Sequence, residues 1–563
     1  ALLLTLLLFT PLGVAVGGMR VNLKLGILFQ PSEIAKYLIV IFMAAYFSVN
    51  ANNIVKYSEK GNNTSLWRSK LRMLLSILIG LGILMGLYLI LGDMGPALIL
   101  AFTFIILYSV IKSKIDLEGL NAQNQLQRIL TCDLAILIYG IISFIIFLLI
   151  GNIIGNMGMG CIVWFIVWIM VGIAKKQIYE SPIFFNLILA AFIFGGTILS
   201  QSTVPSLQHV GERLENRKEM CTNTWGTLPI DGSAAEAGQN TQVAEGLWGL
   251  ASGGFWGQGL GNGSPHFIPA FHTDMILETI GEQLGFIGIL LIIVLFALLV
   301  HKTIILGYKT YHPFTFYLCL GIAIVTAIQF IIISLGSTGM IPLTGVTVPF
   351  FSYGRVSMIL NLAAFGIVLA ISTHNVTDAQ EQPTSISQLQ KQNIGKYNYS
   401  VSILNWSFGL CALIICSVFF YYQSLSRNST LIKPVYVNTA DGVPIIEYNP
   451  RISDIVKAMH AGDIYDRNDV LLATSDVSRL SDQKLSDQFG RLPYIEDYIM
   501  TIKKQRMYRY YPFGEHMFFM VGDYNSGLFF NSDNRGYMAE ARHLTELRGY
   551  DNKKYDDNGQ PIK

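Results

Sequence analysis

Eleven stretches of this chain read as membrane crossings, and they leave little room for any other architecture. A spanning helix needs about 20 mostly apolar residues. The runs at 1–17, 34–49, 72–91, 94–111, 129–150, 153–174, 183–200, 275–300, 314–335, 355–372 and 402–422 meet that need, the shorter ones with Gly or small polar flanks. Charge divides the chain at the same place. Residues 1–422 carry 39 charged side chains, about 9%, and residues 423–563 carry the other 37, about 26%. An ordinary soluble domain has roughly 25%. A purely soluble enzyme, a nucleic-acid binder working by bulk charge and a disordered chain are thereby excluded. The expectation is a polytopic membrane domain followed by a water-soluble one.

Loop charges orient the bundle, because Lys and Arg concentrate on the cytoplasmic side. The loop after 34–49 carries Lys56, Lys60, Arg68, Lys70 and Arg72 against Glu59. Every second loop from there is basic: Lys112, Lys114 and Arg128, then Lys175 and Lys176, then Lys302 and Lys309, then Lys391 and Lys396. One parity fits all the spans. It faces the loops 201–273 and 336–354 and the tail from 423 outward, and makes the polar stretch 373–400 an inside linker. Of the six cysteines, five lie in apolar runs and Cys221 in a polar loop, with no disulfide framework or zinc spacing. The opening ALLLTLLLFT has neither an initiator Met nor a basic lead, so it reads as trimmed rather than as a signal peptide.

Ionisable groups at membrane depth are costly and mark functional sites by default. Asp274, Glu278 and Glu282 stand at i, i+4 and i+8, on one face of the helix that begins near 275. Asp274 alone could be a helix cap. Three carboxylates descending one apolar helix suggest a polar cleft open to the outside. A second group is Gln30, Ser32, Glu33 and Lys36 with Arg20 upstream, where Glu33 and Lys36 could simply pair at a helix start. Asp93 reads as a turn residue and Arg355 as an interfacial cation. The Gly-rich stretch 253–262 lacks the strand–helix context of a dinucleotide site. Its glycines allow close backbone approach. Arg213, Arg217 and Lys218 could meet a phosphate or be solvated. Composition stops at an outward-facing polar site of undetermined chemistry.

Four motifs go further. QPSEIAK (30–36), SGGFWGQGLGN (252–262), HTDMILETIGEQLGFIG (272–288) and TGMIPLTGVTVPFFSYG (338–354) resemble the SEDS family in sequence and in order. The resemblance runs from about 1 to 373. It implies an all-α polytopic bundle of about ten spans, here without the family's first two and with an extra hairpin near 129–174. It implies a peptidoglycan glycosyltransferase that polymerises lipid II on the outer face of the bacterial cytoplasmic membrane, in elongation or division. Asp274 takes the place of the family's catalytic Asp. Arg20, Lys36, Arg213, His272 and Glu282 fall at substrate- or pyrophosphate-binding positions. Gln30, Glu33, Glu278 and Ser352 support the polar site, although Glu278 occupies a position usually apolar. Three further departures are Gln283 where a second Glu is common, Arg355 for a Gly, and Ala270-Phe271 before the His-Thr-Asp.

The tail resembles the anchor and pedestal of class B penicillin-binding proteins: 401–423 as a span, 424–563 as an extracytoplasmic α/β pedestal, with 374–400 as the cytoplasmic linker. The carriers are Ala461-Gly462-Asp463-Ile464-Tyr465-Asp466-Arg467-Asn468-Asp469, Arg509 to Gly514, and Leu547-Arg548-Gly549. The S-x-x-K matches at Ser109–Lys112 and Ser481–Lys484 have no K-T-G after them, so no transpeptidase activity is expected. The implied reaction is inverting transfer. Asp274 takes the proton of the incoming sugar's 4-hydroxyl, and basic residues neutralise the departing undecaprenyl pyrophosphate. A divalent cation, magnesium or manganese, is the one cofactor this chemistry admits. Expected partners are lipid II, the undecaprenyl-linked strand, membrane lipids, the pedestal in cis and other cell-wall proteins in trans, with no nucleic acid. A lipid-linked precursor transporter (flippase) and a non-catalytic scaffold are the rival readings.

Overall fold

Apolar runs become helices here because a buried or lipid-facing backbone must satisfy its own polar groups. The computed structural model describes residues 5–16, 19–25, 27–59, 79–88, 91, 93–114, 122–153, 157–175, 180–201, 224–226, 241–380, 392, 394–438, 444–447, 449–451, 461–481, 495–502, 505–522, 538–543 and 547. Among these, the chain forms α1 (Pro31–Glu59), α2 (Ile79–Tyr88), α3 (Met94–Lys112), α4 (Ala122–Leu130), α5 (Asp133–Ile153), α6 (Met157–Lys175) and α7 (Glu180–Ser200). These are followed by α8 (Thr241–Gly253), α9 (Ile276–Lys309), α10 (Pro313–Ser337), α11 (Arg355–Gln380) and α12 (Asn398–Phe420). Seven of the helices are long and apolar enough to cross a membrane, and α2, α6 and α7 contribute shorter apolar stretches.

The first expected crossing is corrected. Residues 5–16, the described part of that run, do not form a spanning helix: after a 3₁₀ turn at Leu7–Phe9 the chain enters an antiparallel sheet of β1 (Gly13–Val16), β2 (Met19–Leu25) and β3 (Ile27–Phe29). Pro11 and Gly13 interrupt the run, and Arg20, Asn22 and Lys24 alternate with apolar residues at the period of a strand. Leu23 is buried and Lys24 exposed, as that alternation requires. A smaller shift concerns 129–150. Its first residues close the separate helix α4, and α5 starts anew at Asp133, whose carboxylate binds Lys112 Nζ at 2.8 Å and the Ser181 hydroxyl. That contact gives Lys112 of the Ser109–Lys112 match a packing role.

The chain divides into two compact units. The first comprises residues 1–257, 268–427 and 435–446. Its main core joins α1, α3, α10, the middle of α11 and the start of α12, with the Phe47 ring in contact with both Phe104 and Tyr317. A second core gathers α8, α9, α10 and α12 around the stacked pair Phe296–Phe330, centroids 4.2 Å apart. Helix α9 kinks at Gly285, whose φ of 68° suits glycine. The N–H groups freed after the kink donate to Gly254 and Phe255 carbonyls, at 3.0 and 3.4 Å. A Cβ on Gly285 would lie 2.3 Å from the Gly257 nitrogen, so the glycines of 252–262 allow this backbone-to-backbone seat.

The second unit comprises residues 258–267, 428–434 and 447–563. Its strands β6 (Ile464–Tyr465) and β7 (Leu471–Ala473) pair antiparallel, as do β8 (Ile495–Ile502) and β9 (Gln505–Tyr511); β4 (Val435–Asn438) and β5 (Pro444–Glu447) precede them in the chain. Arg509 organises this unit. It is fully buried, meets Glu540 at 2.8 Å, and donates to the carbonyls of Ala461 and Gly462 at 3.1 and 2.9 Å. The Asp466 carboxylate accepts from Asn468 and Val470 N–H groups at 2.8 Å each, closing the turn in which Asp469 takes φ 60°. Asp tolerates that left-handed geometry better than most residues. Arg548 and Gly549 of the tail motif lie outside the described residues.

Candidate active site around Asp274

The His272-Thr273-Asp274 segment is a tight turn that leads into α9. Ala270 adopts φ 53°, and its carbonyl accepts from the Thr273 and Met275 N–H groups at 2.9 and 3.3 Å. The cap position of α9 belongs to Met275, and no side chain caps the helix there. Asp274 is therefore not the helix cap, and it is half-exposed just before the first turn of α9.

The loop 338–354 holds this turn by its main chain. The Ser352 hydroxyl donates to the Thr273 carbonyl at 2.6 Å and accepts from the Val348 N–H at 2.7 Å. The Tyr353 N–H donates to the His272 carbonyl at 2.8 Å, and the two rings meet edge-to-face at 5.9 Å. Gly345, at φ 68°, lies beside the carboxylate: a Cβ there would come 3.7 Å from Asp274 Oδ2. Asp274, His272 and Ser352 are thus brought together.

Glu278 and Glu282 are not part of an open cleft. Their exposures are 0% and 1%, because α8 covers that face of α9. The covering is possible through small residues. A Cβ on Gly246 would lie 3.1 Å from Glu278 Cγ, and one on Gly253 only 2.0 Å from the Gly281 carbonyl. Glu282 accepts from the Ser252 hydroxyl at 3.4 Å. Both Glu278 carboxylate oxygens lack a hydrogen-bond partner among the described residues. Of the three carboxylates, only Asp274 has access to a ligand in this structure.

The Lys36 cluster lies behind the same loop. Lys36 is fully buried, and its amine donates to Glu33 Oε1 and to Gln329 Oε1, each at 3.0 Å. Gln329 Nε2 in turn donates to the Thr347 carbonyl at 2.7 Å. The Thr347 hydroxyl meets Ser357 at 2.9 Å, and Asn361 joins Ser357 to the Tyr37 hydroxyl. Gln30 and Ser32 both donate to Asp93 Oδ2, at 2.6 and 3.4 Å, so Asp93 is a buried acceptor rather than a simple turn residue. Arg355 opens α11 and is exposed. Arg213 lies outside the described residues, and so does the side chain of Arg20.

Sequence reasoning passed over Gln329, Asn361, Gln423 and Arg427. Gln329 and Asn361 are polar residues inside apolar spans, a signal as strong as a buried carboxylate and easily applied. Gln423 donates to the Gly281 carbonyl at 2.9 Å and Arg427 to the Ala251 carbonyl at 3.0 Å, tying the end of α12 to α8 and α9.

Residues 1–118 and 117–377 match the model of the FtsW/RodA/SpoVE cell cycle protein family. The chain belongs to that family. Among curated relatives, it is 41% identical over 133 residues to a probable peptidoglycan glycosyltransferase FtsW of Trichlorobacter lovleyi, covering 23% of this chain and 35% of that one. It is 33% identical over 183 residues to the peptidoglycan glycosyltransferase RodA of Mycobacterium bovis, covering 32% of this chain and 36% of that one. The chain spans about a third of the length of such relatives. A solved peptidoglycan synthase complex contains a chain 20% identical, with a TM-score of 0.35, covering 66% of this chain and 79% of that one. At that score the likeness carries no weight for fold or function.

Proposed function

We propose that this chain polymerises glycan strands from lipid II by inverting glycosyl transfer, with Asp274 as the general base. The observation that carries the reading is the one accessible carboxylate of the three, Asp274, held on a turn that the 338–354 loop fixes through Ser352 and Tyr353. The names of the curated relatives supply the substrate class. In the proposed step the Asp274 carboxylate accepts the proton of the 4-hydroxyl of the incoming sugar. The freed oxygen attacks the anomeric carbon of the strand, and undecaprenyl pyrophosphate leaves. A base held in place this way contributes typically 10²–10⁴-fold.

Lys36 takes a different part from the one its sequence position suggests. Its amine is engaged by Glu33 and Gln329, so it fixes the loop rather than touching the leaving group. Neutralising the pyrophosphate then falls to Arg20 and Arg213. Among the described residues no three His, Cys, Asp or Glu side chains come together as a metal site, so no step here is routed through a divalent cation. A short stretch of the prenyl chain lies along an apolar groove of about 170 Å³ between α1, α10 and α11, lined by Ile34, Leu38, Leu318 and Leu360 among others, a volume that holds only a few of its carbons. The residues after α12 serve as a penicillin-binding-protein-like pedestal in cis, a reading that rests on the Asp466 turn and on the Arg509 contacts to Ala461 and Gly462.

The test is purified full-length chain incubated with lipid II, read by gel separation of glycan strands. Polymer from the wild type and none from Asp274→Ala is the expected result. No polymer from the wild type, with lipid II crossing vesicles instead, would favour the transporter. Polymer undiminished by Asp274→Ala would end the assignment.

A further inference from the structure

A second groove lies at the opposite end of α9 from Asp274. It has a volume of about 520 Å³, runs between α9 and α11, and is bordered by Leu299, Leu306, Phe365 and Leu369 with Lys302 and Lys309. Among the described residues no acidic side chain lines it. Both lysines are exposed, as is Leu369, while Leu306 and Phe365 are half-buried. Thr303 turns its hydroxyl back to the Leu299 carbonyl at 2.8 Å, leaving the wall apolar apart from the lysines and Ser372.

Depth along the helix gives the groove its setting. From Ile276 to Lys302 the rise of 1.5 Å per residue amounts to about 39 Å, somewhat less for the kink at Gly285. A bilayer is about 30 Å thick across its hydrocarbon and roughly 40–45 Å with its headgroups. With the start of α9 at one face, Lys302 reaches the headgroup layer of the other, and Lys309 lies two turns beyond. The apolar end of the groove, at Leu299 and Phe365, points back toward the hydrocarbon. Cationic side chains at headgroup depth beside an apolar channel match a molecule with an anionic head and acyl tails. A zwitterionic lipid would set its own cation against the two lysines.

We propose that this groove binds an anionic phospholipid from the leaflet opposite the Asp274 end, with its phosphate between Lys302 and Lys309 and its acyl chains along Leu299 and Phe365. The site is separate from the polymerase reading and stands without it.

The experiment uses the full chain in phosphatidylcholine vesicles carrying a phosphatidylglycerol with a photoactivatable acyl chain, followed by peptide mapping. Adducts should concentrate at 299–309 and 365–372, above the rest of the lipid-facing surface. Lys302→Gln with Lys309→Gln should lower them roughly tenfold to thirtyfold, the loss expected for two surface cations. Leu306→Trp fills the groove while keeping the charges, and should also lose the adducts; it carries the test if the double variant fails to fold. Equal groove labelling by a phosphatidylcholine probe, or labelling that survives both variants, would overturn the proposal. Displacement of the lipid by inorganic phosphate would also overturn it, because the lysines would then form a free-anion site.

Discussion

Replacing Lys36 by Met should unbalance the polar cluster behind the 338–354 loop more than any single hydrogen bond would suggest. In the native chain the amine, Glu33 and Gln329 satisfy one another with almost no solvent: the side chains of Lys36 and Glu33 are 0% and 8% exposed. Glu33 Oε2 already has no hydrogen-bond partner among the described residues. Removing the amine leaves Glu33 a buried carboxylate with no cation, and leaves Gln329 Oε1 without its donor. Breaking a buried ion pair from one side costs about 3–5 kcal/mol. Losing the donor to a buried amide adds roughly 1–3 kcal/mol if the amide cannot turn. The expected result is a fall in melting temperature of roughly 5–10 °C in detergent. The second arm separates charge from packing. Adding Glu33→Gln to Lys36→Met removes the stranded charge and should recover most of the loss, although neither native group remains. A single variant that melts like the wild type would refute the reasoning, and so would a double variant no better than the single one.

Three other outcomes follow from named contacts. Ser352→Ala removes the hydroxyl that joins the Thr273 carbonyl to the Val348 N–H, so polymer formation should fall roughly tenfold while the melting temperature moves little; equal activity would deny Ser352 a positioning role. Gly253→Ala puts a methyl 2.0 Å from the Gly281 carbonyl, a backbone atom that cannot swing aside, so α8 should separate from α9. A disulfide between cysteines introduced on those two helices should then form much more slowly, and an unchanged rate would contradict the packing. Arg509→Met strands Glu540 and should cost about 3–5 kcal/mol in the second unit, seen as new proteolytic cuts within 461–543; resistance equal to that of the wild type would count against the buried pair.

Much of the bundle was legible in the sequence because a long apolar run specifies a helix by itself. The failure at 1–17 has the same root. Apolar content alone suggested a crossing, while the period-two pattern of 19–25 and the break at Pro11 pointed to strands. The Asp274 turn and the loop around Ser352 were visible as motifs. What they do to each other was not, since Ser352 meets Thr273 across 79 residues and Lys36 meets Gln329 across 293. The burial of Glu278 and Glu282 depends on a third element, α8, whose two close approaches at Gly246 and Gly253 are a spacing that means little until the partner helix is known. Local pattern reveals elements; it does not reveal which face a neighbour will cover.

The central claim is that Asp274 acts as a base in strand polymerisation, and Asp274→Asn tests it most directly. The amide keeps the size of the carboxylate and removes its ability to take a proton. Purified variant and wild type are compared with lipid II under single-turnover conditions, with binding of the substrate measured in parallel. The account predicts a rate lower by roughly 10²–10⁴-fold with substrate binding preserved. A variant that polymerises at the wild-type rate would contradict it.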